Sequence, residues 1–152
     1  GRLGQRDAME KGIQALIDKG RATASDYNNL AWSQVTRGAV TENTLELVRI
    51  ATQNGGSSYS LHTLAVVLAD LGRTTEAKAA LLKEMDAQKL DEPGGNEWYV
   101  LGRIAEQLDI PEAALACYAR VKPKKASDAK DPGSCASLAA KRVAALKASQ
   151  GH

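Results

Sequence analysis

Two cysteines and two histidines are the residues of this chain that could most readily supply a nucleophile, a base or a soft metal ligand. Nucleophilic catalysis needs a nucleophile, a base and an orienting group within hydrogen-bond reach of one another. Cys117 falls on the apolar face of a predicted helix, where we expect it to be a small buried core residue. Cys135 lies beside a predicted loop, and the histidines are His62 and His152. The cysteine spacing matches no metal site, and neither a His-Glu-x-x-His motif nor a phosphate-binding glycine-rich loop is present. We therefore predict a protein that is not an enzyme, with no catalytic residue, no metal and no cofactor.

The elements that must position any functional side chain are predicted to be helices. Aromatic residues make up only 4% of the 152 residues and Phe is absent, so the core must consist mainly of Leu, Ala, Val and Ile. Small side chains let helix axes approach closely, whereas β domains usually rely on aromatic and β-branched residues. Apolar residues with helical spacing, as at Tyr27, Leu30 and Ala31, recur along the chain, and no period-two pattern persists. The sequence predicts an all-α fold of about eight helices in a single domain over residues 1–152.

An internal repeat organises these helices. A Leu followed by a small residue occurs at Leu30-Ala31, and again 34 and then a further 37 residues along, at Leu64-Ala65 and Leu101-Gly102. The longer second interval fits an insertion in the turn-forming segment 91–95. Repeats of this length are typical of stacked helix pairs. We predict repeats over about 25–57, 58–94 and 95–123, with flanking helices over about 5–19 and 135–148, the second of them a terminal capping helix.

The third repeat carries the clearest resemblance to a known family. It resembles the tetratricopeptide repeat, through Trp98, Leu101-Gly102, Ala105, Ala114 and Tyr118. The second repeat keeps the same pattern at Leu61, Leu64-Ala65, Leu68, Gly72, Glu76-Ala77 and Leu81. Two residues depart from the family pattern, because Thr44 and Glu84 stand where the family usually has a small side chain.

This resemblance implies a solenoid of antiparallel helix pairs whose concave face receives an extended peptide or a partner helix. The family's groove positions fall on nine residues of this chain, which are Asn28, Trp32, Tyr59, His62, Val66, Asp70, Tyr99, Arg103 and Glu106. The set combines aromatic, polar and cationic side chains, the mixture that interface hot spots favour. The alternative for Trp32 and Tyr99 is simple packing between repeats, and for His62 a role without a ligand.

The function predicted from this pattern is a protein- or peptide-binding scaffold. The alternative is a structural or regulatory segment of a larger multidomain protein with no independent ligand, since the helix over 5–19 resembles half of an upstream pair. Nucleic acid is not favoured, because the net charge is only +2, although eight Lys and Arg residues follow position 119. Exposed edges of a short solenoid could also pair with a second copy, as a homodimer. No apolar run approaches the roughly 20 residues that a membrane span needs.

Overall fold

The computed structural model describes residues 2–53 and 56–150 of the chain. Within these residues the fold is all-α, as predicted, with eight α-helices and no strand. The helices are α1 (Arg2–Asp18), α2 (Ala24–Thr36), α3 (Glu42–Ala51), α4 (Ser58–Asp70), α5 (Thr74–Ala87), α6 (Gly95–Gln107), α7 (Pro111–Tyr118) and α8 (Cys135–Gln150). A short 3-10 helix, Ala126–Ala129, interrupts the segment between α7 and α8.

Local sequence signals explain where the helices begin and end. Thr23 and Asp26 form a capping box at the start of α2, in which each side chain accepts a hydrogen bond from the other residue's backbone N–H at 3.1 and 2.8 Å. Ser57 and Ser60 form the equivalent box at the start of α4, at 3.2 and 2.9 Å. Gly72 ends α4 in the left-handed conformation, with φ +79°, which glycine adopts without a steric cost.

The helices pack mainly as successive hairpins. The strongest contacts join α2 with α3, α4 with α5, and α6 with α7, one hairpin in each predicted repeat. The first helices of the hairpins also contact each other in order, α2 against α4 and α4 against α6, while α1 packs on α2. The last helix, α8, lies against both α6 and α7. Contacts therefore run mostly between neighbours in the chain.

The core consists largely of small aliphatic side chains at the helix crossings. Ala31 and Ala65, the small residues of the first two repeat motifs, have no exposed surface, and Ala77 and Ala114 on α5 and α7 are equally buried. Small residues at these positions let the helices pack closely, in agreement with the composition. The expectation that Cys117 would be buried is wrong, because α7 directs Ala114 and Tyr118 into the core and leaves Cys117 partly exposed.

Candidate functional site

The nine predicted groove residues do not form one open surface. Val66 and Tyr99 are buried in the core, at 0% and 3% exposure, so the prediction that they line an open groove is wrong. Tyr99 lies beside the ring of Tyr118, with centroids 5.9 Å apart. Asp70, Arg103 and Glu106 are joined to each other and to α8 by ion pairs. The remaining four residues, Asn28, Trp32, Tyr59 and His62, line a separate cleft.

The ion-pair network connects four helices. Arg103 on α6 bonds Asp70 on α4 through Nε at 2.7 Å, and Glu106 one turn further along α6 through Nη1, also at 2.7 Å. Arg142 on α8 donates to both oxygens of Glu106, with distances of 2.6 and 2.9 Å. The hydroxyl of Tyr118 on α7 also donates to the Glu106 carboxylate. The charged side chains at the predicted groove positions therefore form ion pairs with one another and with Arg142.

The network holds the Glu106 carboxylate in its ionised form. Burial by itself would raise the pKa of Glu106, but the hydrogen bonds from Arg142 and Tyr118 together with the charges of Arg103 and Arg142 outweigh burial and hold this pKa at about 2. Burial raises the pKa of Asp70, and the neighbouring Arg103 opposes this rise. Because Glu106 stays ionised at neutral pH, it remains a strong acceptor for both guanidinium groups.

We expect Glu106→Gln to lower the free energy of unfolding by about 2 kcal/mol at pH 7, since buried hydrogen bonds to a charged group are lost. The folded-state pKa is depressed, so the stabilisation is present above the unfolded-state pKa near 4.5 and is lost as the pH falls towards 2. Urea denaturation at pH 7 and at pH 2.5 measures the free energy of unfolding where this stabilisation is present and where most of it is lost. Glu112→Gln, at an exposed position on α7, is the control, and an equal loss in both variants would contradict the assignment.

His62 and Trp32 form the inner wall of the cleft. The two rings lie 5.6 Å apart, and His62 Nε2 lies 3.1 Å from the backbone oxygen of Asn96 and 3.9 Å from the Sγ of Cys135. The indole Nε1 of Trp32 donates to the backbone oxygen of Gly133 at 2.9 Å. The two side chains therefore contact the segment that leads into α8. For Trp32, packing inside the chain was the alternative to a role in the groove.

The His62–Cys135 approach does not form an activated nucleophile. Burial lowers the pKa of His62 and raises the pKa of Cys135 to about 12, so the imidazole is neutral and the thiol protonated at neutral pH. A reactive cysteine needs the thiolate. Among residues 2–53 and 56–150, no three His, Cys, Asp or Glu side chains are arranged to hold a metal ion. His152 lies outside the described residues.

The open part of the site is a cleft of about 480 Å³ between α2, α4, the start of α6 and the segment 121–136. Tyr59, whose surface is 79% exposed, stands at its edge. The side-chain oxygen of Asn28 is buried there without a hydrogen-bond partner. The rim contributed by the segment carries charges of both signs, at Lys122, Lys124, Lys125, Asp128 and Asp131.

A second cleft, of about 730 Å³, lies between α1, α2 and residues 127–133. Its lining includes Met9 and Arg6 from α1, and Trp32 is shared between the two clefts. The Trp32–Gly133 hydrogen bond thus marks the point where the segment crosses α2.

The sequence reasoning missed the contributions of α8 and of the segment that precedes it. Arg142 lies 36 residues from its partner Glu106, and Gly133 lies 101 residues from Trp32. One signal for a basic partner was available in the sequence. Two groove positions on different helices are acidic, Asp70 and Glu106, and such side chains require basic partners if the groove is covered.

Comparison with protein-family models, with curated proteins and with solved structures gives no match. None of the helices within the described ranges is long and apolar enough to cross a membrane.

Proposed function

We propose that this chain is a tetratricopeptide-like scaffold that binds a segment of another protein. The helix contacts support the architecture, because three successive hairpins pack so that their first helices meet in order. That order is the one expected of a solenoid of helix pairs. Binding without catalysis is part of the proposal, and the protonated thiol of Cys135 beside a neutral His62 supports it.

The observation that carries the proposal is the cleft at the start of α2, α4 and α6. Tyr59 offers an exposed aromatic ring at the edge of this cleft. The mixed charges of the rim favour a polar, extended segment over a purely apolar one.

We expect Tyr59→Ala to weaken binding of peptides selected from a display library against the full chain by at least tenfold. Loss of an exposed aromatic anchor typically costs about 2 kcal/mol at an interface hot spot. Fluorescence anisotropy with the selected peptides measures the effect. Leu82→Ala is the matched control, because Leu82 is also a large exposed side chain and lies outside the cleft.

The buried groove residues are unsuitable probes of binding. Tyr99→Ala would remove a ring packed against Tyr118 and would lower stability whatever the ligand. A selection that yields no peptide although the chain is folded, or peptides that bind Tyr59→Ala equally well, would argue against this cleft. The first result would favour a structural segment of a larger protein.

A further inference from the structure

A face formed by α6 and α7, with His62 of α4 beside it, already holds a helix, α8. Cys135, Leu138 and Ala139, on the first turns of α8, are buried. Cys135 reaches His62 on α4, and two turns further along Arg142 reaches Glu106 on α6. Positions 135, 138, 139 and 142 follow the i, i+3, i+4, i+7 spacing of one helix face. Helix α8 therefore contacts this face as an amphipathic ligand helix would.

The chain is exposed on both sides of the buried turns of α8. The preceding residues Lys122, Pro123, Lys124 and Lys125 are exposed, as are the last residues of the helix, 147–150. The hydrogen bond from Trp32 to Gly133 ties the connecting segment to α2. Arg142 keeps 38% of its side-chain surface exposed while its partner Glu106 keeps 9%, so the acceptor is recessed and belongs to the face. A different helix with an arginine at the same position could use the same acceptor.

We propose that the face of α6 and α7, with His62 of α4 beside it, is a binding surface for amphipathic helices, that α8 is its resident occupant, and that a partner helix binds by replacing α8. The partner carries a small residue, Leu-Ala three and four positions later, and Arg at the seventh position, as α8 does. Arginine is required rather than lysine, because two donors bond the two oxygens of Glu106. The inference rests on the proposed binding function and specifies a second class of partner for it.

A labelled peptide of residues 134–150 tests the exchange directly. The tethered α8 competes at an effective concentration on the order of millimolar, so the wild-type chain should bind this peptide weakly. We expect the Arg142→Ala chain to bind it about tenfold more tightly, because its own α8 has lost a charged hydrogen-bonded pair while the acceptor remains. Fluorescence anisotropy under reducing conditions measures both affinities. Lys141→Ala changes an exposed neighbour on the same helix and should bind as the wild type does.

Variants of the peptide locate the contact. On the Arg142→Ala chain, a peptide with Arg142→Ala should bind about tenfold less tightly, and one with Lys141→Ala should bind unchanged. Equal binding of the wild-type peptide to the wild-type and Arg142→Ala chains would overturn the proposal. Absence of binding to a folded Arg142→Ala chain would do the same.

A second variant guards against misfolding of the first. Should Arg142→Ala lose helical content by circular dichroism, Trp32→Phe removes the hydrogen bond to Gly133 and so loosens the connecting segment, while it keeps an aromatic ring beside His62, and the same gain in peptide affinity is expected. A concentration-dependent dimer that Glu106→Gln abolishes would support the proposal, with a second copy as the source of the helix. The test is independent of Tyr59→Ala, so failure of the exchange leaves the cleft to be judged by its own peptides.

Discussion

We expect Gly102→Ala to lower the free energy of unfolding by about 3 kcal/mol, at the upper end of the usual cost of overpacking a core. A Cβ atom at Gly102 would lie 2.3 Å from Cε1 and 2.6 Å from Cδ1 of Tyr118, far inside van der Waals contact. The Tyr118 ring cannot easily move, because its hydroxyl donates to Glu106 and its face lies against Tyr99. Relief of the overlap must therefore separate α6 from α7.

Gly12→Ala is the matched control for this substitution. Gly12 also lies within a helix, α1, but a Cβ atom there would meet nothing within 4 Å. The substitution should raise stability by up to about 1 kcal/mol, since alanine is the better helix former. Urea denaturation compares the two variants on one scale. If Gly102→Ala were as stable as the wild type, α6 and α7 would not be packed as closely as described.

The pairing of Gly102 with Tyr118 shows what the sequence could reveal. The Leu-small motif recurs at intervals of 34 and 37 residues, and in the third repeat Tyr118 follows Gly102 at the distance of one helix hairpin. Contacts within a hairpin join residues that are close in the chain. The helices could therefore be predicted from the spacing of the apolar residues, the caps at Thr23 and Ser57, and the proline at the start of α7. The all-α fold was predictable for this reason.

The candidate site was less predictable because its cover comes from distant sequence. Carrying a groove position over from a family assumes that the face stays open. Here residues 121–136 line the cleft beside α2, α4 and the start of α6, Arg142 of α8 pairs with Glu106, and Tyr99 is buried. No local pattern reports a contact such as Trp32–Gly133, which spans 101 residues. Tyr59 and Asn28 remained at the cleft because the segment approaches but does not cover them.

Glu84 departs from the repeat pattern, which favours a small residue at this position. In the structure this acidic side chain is buried. The side chain is only 1% exposed. Gln88 donates to its Oε1, whereas Oε2 is buried without a partner. Burial and then the nearby Glu97 carboxylate raise the pKa of Glu84 to about 8. Glu97 accepts a hydrogen bond from the backbone N–H of Gly94 at 2.9 Å. A proton on Glu84 therefore best neutralises the pair of neighbouring carboxyl groups.

We expect the free energy of unfolding to fall as the pH rises from about 4.5 to about 8, and Glu84→Gln to remove most of this fall. The folded-state pKa lies above the unfolded-state value, so this group's stabilisation is fully present below pH 4.5 and is lost as the pH passes through 8. At pH 9 the wild type carries a buried, unpaired carboxylate oxygen, whose cost is about 2 kcal/mol. At pH 9, Glu84→Gln should therefore be more stable than the wild type by about 2 kcal/mol. At pH 5 the two chains should have similar free energies of unfolding.

Urea denaturation across pH 5 to 9 measures this difference, and Glu76→Gln is the control on the same helix. Glu76 is more than half exposed and pairs with Arg49 at 3.7 Å, so its removal should change stability by less than about 1 kcal/mol at any pH. The other titratable groups near Glu84 are Glu97, Cys135 and Lys124, and they are unchanged in both variants. A slope that persists unchanged in Glu84→Gln would contradict the assignment of the pH dependence to Glu84. A slope lost only in Glu84→Gln would show that this carboxyl is protonated in the folded chain at neutral pH, which explains how the repeat accommodates an acid where a small residue is usual.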